Sequence, residues 1–322
     1  MIRFITIFFM LIFLFLGCGQ QSDEQRQLQE EQANFPDILV APKGLVLNFW
    51  VNVKAGADSA AREFGANIIW KGPSLETDIS GQIAIIEDYI NKGVDAIVLA
   101  ACDAKGLENV VEKAILKKIP VITIDSGIEK DLALSHVATN NVAAAHKAAD
   151  VLAELIGHQG KVACIPIVPG AATSIMRENG FLEGIQKYEQ IQVTAIQYSQ
   201  SEVGVGMAVT EDILTAHPDI KGIFAANEAG TIGVVQGLKS KNKAGQVKVV
   251  GFDAARNEII ALKEGLVDAL IVQDPFKMGY LGVKMAVRAI NGEAVEKSVD
   301  TGVYVVTREN LDTPQIKTLL GL

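Results

Sequence analysis

The sequence predicts an α/β protein built from two doubly wound parallel-sheet lobes. From about residue 37 onward, short runs of Val, Ile and Leu alternate with helical patterns. Strands that are apolar on both faces and separated by helices of about 10–15 residues are typical of parallel sheets covered on both sides. The chain has 322 residues, more than one hydrophobic core usually supports, which indicates two lobes.

The first series of elements covers about the first half of this pattern. Its strands are predicted at 37–41, 67–70, 96–99, 121–124 and 136–138, with helices at about 50–64, 78–91 and 107–117. Gly65, Gly93 and Pro120 lie at or just past helix ends, where a left-handed or non-helical residue is needed. These stop signals separate each helix from the strand that follows it.

The second series continues with the same rhythm. Helices are predicted at 141–156, 172–187, 202–216, 231–239, 257–264 and 276–291, and strands at 161–167, 192–196, 222–225, 247–250 and 270–272. Ligands of such sheets bind beyond the carboxyl ends of the strands. The aromatic and polar residues near those ends are therefore the candidate recognition residues.

The N-terminal segment is predicted to be a lipoprotein signal peptide, residues 1–17. Arg3 precedes an apolar run from Phe4 to Leu16, which is shorter than the roughly 20 residues of a spanning helix. The following Gly17-Cys18 resembles a bacterial lipobox, so Cys18 is the expected site of diacylation, with fatty acids such as palmitate. The polar residues 18–36 then form a flexible tether. An uncleaved N-terminal anchor is the alternative.

Composition and missing motifs exclude several functions. Twenty-nine basic residues against 38 acidic ones give a net charge of −9, which argues against nucleic-acid binding. No dinucleotide, P-loop or nucleophile-elbow motif is present, so we expect neither catalysis nor a cofactor. The four His lack metal-ligand spacing, so no metal site is expected. Cys102 and Cys164 are expected to be small buried side chains without a disulfide.

Five segments in order resemble the ribose/galactose-type periplasmic sugar-binding proteins of ABC importers. They are ITID at 122–125, SHVATNN at 135–141, LTAHPD at 214–219, FAANE at 224–228 and VVGFD at 249–253. The resemblance covers about residues 37–310. It implies two lobes joined by a three-strand hinge that closes on one sugar, with crossings near 139–140, 273–274 and 300–301. The implied lobes are 37–139 plus 274–300, and 140–273 plus 301–322.

The same resemblance implies a set of ligand-binding residues that all have counterparts here. They are Phe49, Trp50, Asp125, Arg177, Asn227, Asp253 and Gln273. Aromatic faces pack on the C–H face of a sugar, while carboxylates, guanidinium and amides satisfy its hydroxyls. A missing hydroxyl leaves a buried partner unpaired, at a cost of about 1–3 kcal/mol.

Each of these residues also has a purely structural interpretation. Asp125, Asn227 and Asp253 are also the residue types that form turns or cap helices. Phe49 and Trp50 are also compatible with the core, Arg177 with a solvated helix surface, and Gln273 with the hinge backbone.

Three departures from the family pattern leave the sugar open. Ser126 stands where the ribose type has a second arginine, Leu47 replaces an asparagine, and Ser201 replaces an aromatic residue. Ser126 and Ser201 are therefore further candidate ligand residues. Lys43, in the loop after the first strand, is another, although a solvent-facing lysine is the alternative. A larger, phosphorylated or acidic sugar is compatible with these departures.

We therefore expect a non-catalytic, monomeric, lipid-anchored receptor at the bacterial periplasm or cell surface. It binds a monosaccharide-like polyol by hinge closure and delivers it to an ABC permease driven by a separate ATPase. One alternative keeps the site but presents the ligand to a chemoreceptor, histidine kinase or quorum pathway. A transcription repressor would need an N-terminal helix-turn-helix, and an α/β enzyme would need catalytic groups; neither is found in the sequence.

Overall fold

The computed structural model describes residues 35–322, of which 36–322 form one compact unit. The predicted signal peptide, the lipidation at Cys18 and nearly all of the predicted tether lie outside the described residues. Within the described part, no helix is both long and apolar enough to cross a membrane.

The first lobe is built on a six-stranded parallel sheet with the strand order β11-β5-β4-β3-β1-β2. Its strands are β1 (Asp37–Ala41), β2 (Asn67–Trp70), β3 (Ala96–Leu99), β4 (Val121–Ile124), β5 (Ser135–Ala138) and β11 (Ser298–Asp300). Its helices are α1 (Asn48–Phe64), α2 (Ile79–Lys92), α3 (Glu108–Leu116) and α9 (Pro275–Ile290). Helices α1 and α9 cover one face of the sheet, and α2 and α3 cover the other.

The second lobe repeats this plan with the strand order β12-β10-β9-β8-β6-β7. Its strands are β6 (Gly160–Ile165), β7 (Ile191–Ile196), β8 (Ile220–Ala225), β9 (Lys248–Phe252), β10 (Ala269–Val272) and β12 (Tyr304–Val306). Its helices are α4 (Asn141–Leu155), α5 (Ala172–Gln186), α6 (Val203–Ala216), α7 (Glu228–Ser240), α8 (Arg256–Glu264) and α10 (Pro314–Leu320).

The predicted fold class, two doubly wound parallel-sheet lobes, is confirmed. Strand β12 pairs antiparallel with β10, while the other pairs in both sheets are parallel. Neither β11, β12 nor α10 was predicted from the pattern. Strands of three residues are too short to show a periodicity, so their pairing depends on tertiary contacts.

The chain passes between the two sheets after β5, after β10 and after β11. Two of these connections are tied together, because Thr301 N donates to Ala138 O at 3.0 Å and Asn140 N donates to Asp300 Oδ1 at 3.2 Å. The predicted crossings near 139–140, 273–274 and 300–301 fall within these connections. The exact lobe boundaries and the hinge movement stay predictions.

Helices α1 and α9 approach each other through two glycines. A Cβ atom on Gly56 would overlap the backbone of Phe276, and one on Gly279 would overlap the carbonyl of Val53. Only glycine permits this backbone-to-backbone approach. The contact fixes α1, which carries Phe49 and Trp50 in its first turn, against the helix that begins at the second crossing.

An aromatic series lies in the core of the second lobe. The rings of Phe181 and Phe224 stack with centroids 4.8 Å apart, and Phe224 contacts Phe252 edge-on at 6.5 Å. These rings pack with the apolar face of α4 and with strands β6, β8 and β9. The series ends below the cleft, where Phe252 supports a charged residue of the candidate site.

Candidate functional site

A small cavity lies between the carboxyl ends of the two sheets. Its volume, including its opening to solvent, is about 250 Å³. The residues lining it are Lys43, Leu47, Phe49, Trp50, Glu76, Asp125, Ile167, Arg177, Asn227, Asp253 and Gln273. The structure thus brings all seven principal predicted residues together, along with Lys43. Their role in binding a ligand stays a prediction.

The aromatic pair comes from the first turn of α1. The rings of Phe49 and Trp50 meet edge-on with centroids 4.9 Å apart, and both side chains are buried. The Trp50 indole Nε1 donates to Glu76 Oε1 at 2.8 Å, which fixes the ring's orientation. The two residues also pack against the first-lobe core, so the core interpretation and the site interpretation are both satisfied.

Lys43 and Asp125 form a buried ion pair in the first-lobe wall. The Lys43 ammonium lies 2.9 Å from Asp125 Oδ2, 3.8 Å from Glu76 Oε2 and 3.1 Å from the hydroxyl of Thr173 in the second lobe. With only 3% of its surface exposed, Lys43 is not the solvent-facing lysine of the alternative interpretation. Burial lowers the pKa of Lys43, but attraction to Asp125 and Glu76 outweighs burial and raises that pKa, so the ammonium stays charged.

Arg177 is held rigidly on α5 in the second lobe. Its Nε donates to Asn141 Oδ1 at 2.7 Å, and one terminal nitrogen donates to Ala226 O at 2.7 Å. The guanidinium lies 3.7 Å from the centre of the Phe252 ring and 3.9 Å from Asp125 Oδ1. Burial lowers the pKa of Arg177 against the attraction of nearby carboxylates. The side chain is 2% exposed, so the solvated-helix interpretation is wrong.

Asn227 has two roles in the second-lobe wall. Its Oδ1 accepts from Gly230 N at 3.0 Å and caps α7, as the structural interpretation expected. Its Nδ2 donates to Ser201 Oγ at 2.9 Å. Because it also lines the cavity, helix capping and a ligand contact are compatible in this residue.

Asp253 and Gln273 form a pair next to the second crossing. Gln273 Nε2 donates to Asp253 Oδ1 at 2.7 Å, and Glu228 N donates to Asp253 Oδ2 at 3.0 Å. Burial raises the pKa of Asp253 to about 6, although Arg177 and the Gln273 hydrogen bond oppose the shift. Burial and the repulsion of Asp253 raise the pKa of the neighbouring Glu258 well above its usual range.

One buried acceptor in the cavity wall, Gln273 Oε1, lacks a hydrogen-bond partner among the described residues. Asp125 Oδ2 is not left unpaired, because the Lys43 ammonium lies 2.9 Å from it. Unpaired buried acceptors are costly unless something satisfies them. The cavity is therefore prepared for a ligand that donates hydrogen bonds.

Polar contacts join the two lobes across the cleft. Glu228, at the start of α7, accepts from the backbone amides of Asn48 and Phe49 at the start of α1. Ala104 N in the first lobe donates to Gly170 O in the second lobe at 2.9 Å. Together with the contact from Lys43 to Thr173, these bonds hold the lobes against each other.

Sequence reasoning missed two acidic residues of this region, Glu76 and Glu228. The loop that carries Glu76 has no periodicity and no family motif, so nothing in the sequence marked it. Glu228 ends the segment FAANE, but the helix was predicted to begin only at about residue 231, so no role was assigned to Glu228. The other two candidates, Ser126 and Ser201, do not line the cavity, although Ser201 contacts Asn227. Their role stays a prediction.

Within residues 35–322, no cluster of three or more His, Cys, Asp or Glu side chains is arranged to hold a metal ion. Cys102 and Cys164 are free and buried, as expected, and belong to different lobes. Burial raises the pKa of the Cys102 thiol to about 12, and that of Cys164 is also raised. Both thiols are therefore protonated and chemically inert near neutral pH.

Comparison with known proteins identifies the family. Residues 38–294 match the family described as periplasmic binding protein domain. The chain belongs to the periplasmic binding protein family. The resemblance to ribose/galactose-type sugar-binding proteins is thereby confirmed, and the family is a non-enzymatic component of transport.

Individual periplasmic binding proteins match over most of their length. The ribose import binding protein of Haemophilus influenzae is 31% identical over 270 residues, which are 84% of this chain and 91% of that protein. A carbohydrate transporter solute-binding protein of Agrobacterium radiobacter, solved with D-arabinose, is 35% identical with a TM-score of 0.86, covering 89% of this chain and 99% of that one. An ABC transporter solute-binding protein of Agrobacterium vitis, solved with D-fucose, is 38% identical with a TM-score of 0.85, covering 87% and 98%.

Proposed function

We propose that this protein is the solute-binding component of an ABC sugar importer and that it binds a monosaccharide-like polyol in the cleft between its lobes. The observation that carries the proposal is the cavity itself. An aromatic pair faces two cations, three carboxylates and two amides, and the acceptor Gln273 Oε1 lacks a partner among the described residues. The relatives are import and transporter binding proteins, which favours import over presentation to a sensor.

The charges of the cavity favour a neutral ligand over an acidic or phosphorylated one. Lys43 lies 2.9 Å from Asp125, and Arg177 is also beside that carboxylate. Both cations are therefore already compensated, and Glu76 and Asp253 add further negative charge. A phosphate would enter a site with more acidic than basic side chains, at an electrostatic cost. Neutral hydroxyls, in contrast, donate to the carboxylates and accept from Arg177.

Hinge closure follows from a ligand that contacts both lobes. Trp50 and Asp125 belong to the first lobe, whereas Arg177, Asn227 and Asp253 belong to the second. A sugar between them makes its full set of contacts only when the lobes meet. The closed arrangement therefore binds the sugar more tightly than the open one, and this difference in affinity drives closure. The closed form is then the form delivered to the permease. No chemical step is involved, and we propose that the protein is monomeric and not an enzyme.

The proposal is tested by thermal unfolding of protein stripped of carried-over ligand by denaturation and refolding. The panel compares D-ribose, D-arabinose, D-fucose, polyols, sugar acids and sugar phosphates. A ligand at 100 times its dissociation constant adds about 2.7 kcal/mol of stability, a readily measured shift. A stereoselective response to one neutral sugar is expected. Stabilisation only by acidic or phosphorylated sugars would contradict the charge argument, and no response to any member would contradict sugar binding.

We also propose that Cys18 is lipidated and holds the protein at the outer side of a membrane. The support is the sequence alone: a short apolar run, a small residue and then Cys18, followed by a polar segment. Labelling cells with an alkyne fatty acid should mark the wild-type protein and not Cys18→Ser. Equal labelling, or equal release of both proteins from membranes, would contradict the anchor.

A further inference from the structure

We propose that Glu228 is a positioning residue that caps helix α1 from the opposite lobe, so that closure of the cleft completes a helix terminus. The inference rests on the proposed function in one respect, because it assumes that the lobes part when no ligand is bound. It assigns no ligand contact to Glu228. The carboxylate acts instead through the backbone of Phe49, whose ring lines the cavity.

The geometry is that of a carboxylate at a helix N-terminus. Glu228 Oε1 accepts from Asn48 N at 3.1 Å and from Asn48 Nδ2 at 3.1 Å, and Oε2 accepts from Phe49 N at 3.0 Å. Only 3% of the Glu228 surface is exposed. Hydrogen bonds from amides to a charged acceptor are stronger than neutral ones, and the helix dipole adds to the attraction.

Helix α1 has no cap of its own. Its N-cap residue is Leu47, which makes no side-chain capping bond, and no acidic residue lies in the first turn. The first amides of a helix need partners from outside the helix. In α1 two of them find a partner only in the other lobe. Several other helices are capped locally, as α7 is by Asn227 and α9 by Asp274.

The cap is connected to the ligand site on both sides. In the second lobe, Glu228 follows the cavity residue Asn227, and its amide donates to the cavity residue Asp253. In the first lobe, the capped amide belongs to Phe49, next to Trp50. The cap therefore sets the position of the aromatic pair relative to the second-lobe wall of the cavity, which carries Asn227 and Asp253.

Any separation of the lobes breaks all three bonds, because donors and acceptor lie in different lobes. Water then replaces the carboxylate at the amides, so the cap stabilises the closed form relative to the open one. Removing the charge lowers the affinity for every ligand by the same factor, about tenfold, since the cap distinguishes two arrangements of the protein rather than two sugars.

The experiment compares wild type with Glu228→Gln, which keeps size but removes charge. Hydrogen exchange is measured on protein saturated with the sugar of the panel that binds it best, at the amides of Asn48 and Phe49, because the cap exists only while the lobes are closed. We expect exchange there to rise about tenfold while the thermal unfolding midpoint stays within a few degrees of wild type. Glu189→Gln, an exposed residue in the second lobe, is the control and should leave exchange at both amides unchanged. Unchanged exchange in Glu228→Gln overturns the proposal.

Binding supplies a second readout, with D-ribose, D-arabinose and D-fucose as probes. The expected result is the same fold-weakening for each probe that binds, seen mainly in the dissociation rate. A factor that differs strongly between probes would mean that Glu228 contacts the sugar, which also overturns the proposal. If no probe binds wild type, the proposed function fails and the cap fails with it; if a probe binds and exchange in Glu228→Gln is unchanged, the cap alone fails. The two failures are thereby distinguishable.

Discussion

The ammonium of Lys43 and the carboxylate of Asp125 lie 2.9 Å apart, with both side chains almost completely buried in the first-lobe wall. Lys43 comes from the loop after β1, and Asp125 follows β4. The pair also reaches the second lobe through the Thr173 hydroxyl. Because Ser126 stands where the ribose type has a second arginine, Lys43 supplies the second cation of this cavity.

Breaking this pair should destabilise the protein. We expect Lys43→Met to lower the free energy of unfolding by about 3 kcal/mol, because it leaves the Asp125 charge buried without its nearest cation. Urea denaturation of the ligand-free protein measures the change. Lys105→Met is the matched control, since it breaks an exposed pair with Glu129 and should cost less than about 1 kcal/mol.

The double variant Lys43→Met/Asp125→Asn should recover most of the stability lost by Lys43→Met alone. With the charge also removed from Asp125, the group nearest to the lost cation is neutral, and Asn tolerates the positive φ of 53° at this position. A double variant as unstable as the single one would show that packing of the lysine stem, rather than the unpaired charge, accounts for the loss.

Arg177→Lys should weaken sugar binding at least tenfold. The guanidinium makes two directed bonds, to Asn141 and to Ala226, and lies 3.7 Å from the centre of the Phe252 ring; an ammonium cannot reproduce that arrangement. Titration calorimetry with the best sugar of the panel measures the effect. Arg308→Lys changes an exposed residue in the same way and should bind as wild type does. Equal affinity of Arg177→Lys would remove Arg177 from the binding residues.

The ligand-free protein should gain stability relative to Asp253→Asn as the pH falls. Asp253 has a pKa of about 6 in the folded protein, above the usual value of about 3.9 in an unfolded chain. The folded state therefore takes up a proton first, and this group's contribution to stability rises as pH falls below about 6. Between pH 8 and pH 5 we expect about 1 kcal/mol in the difference between the two proteins. A difference that is constant with pH would contradict the raised pKa.

Sugar affinity should change with pH in the opposite direction. The ionised Asp253 is the form that accepts a charge-assisted hydrogen bond, so protonation below about pH 6 weakens binding. At pH 5 Asp253 is ionised in about one protein molecule in ten, which corresponds to an affinity about tenfold lower than at pH 8. Calorimetry at pH 8 and pH 5 measures this ratio of affinities. Equal affinities would mean that protonated Asp253 binds the ligand as well as the ionised form does.

Gly279→Ala should destabilise the first lobe by about 2–3 kcal/mol. The added methyl group would overlap the backbone of Val53 on α1, and two packed helices cannot separate without losing core contacts. Gly204→Ala is the matched control, because nothing lies within 4 Å of its Cβ position in α6. That change should be neutral or stabilising. Similar losses in both variants would show that the helix contact is not the cause.

Much of the fold was predictable because its strands carry a continuous apolar signal. The run at 96–99 is buried along its whole length, and its bounds match the prediction. The start of α7 was predicted less well. The pattern placed it at about residue 231, whereas the helix begins at Glu228, directly after Asn227. The glycine and threonine residues in its first turn have weak helix propensity, and the Asn227 cap sets the true start.

The residues of the candidate site also differ in how well the sequence predicted them. Asp125 and Asp253 each end a segment that resembles a family motif, so the sequence alone indicated their place in the cleft. Glu76 could not be predicted, because its place depends on the indole of Trp50 and on how the loop after β2 folds over the cavity. The cap by Glu228 depends on two segments about 180 residues apart in the chain meeting across the cleft, and no local pattern encodes such a contact.

The glycine contact between α1 and α9 predicts which parts of the molecule would move together if the lobes rotate. Helix α9 begins at Pro275, two residues after Gln273, and its backbone touches that of α1 with no side chain between them. Phe49 and Trp50 are therefore connected to the second crossing through two helices, α1 and α9, that are in direct contact. We expect a rotation of the chain at Gln273 to reach the aromatic pair undiminished, so this proposed ligand residue of the hinge would also set the angle of the first-lobe wall.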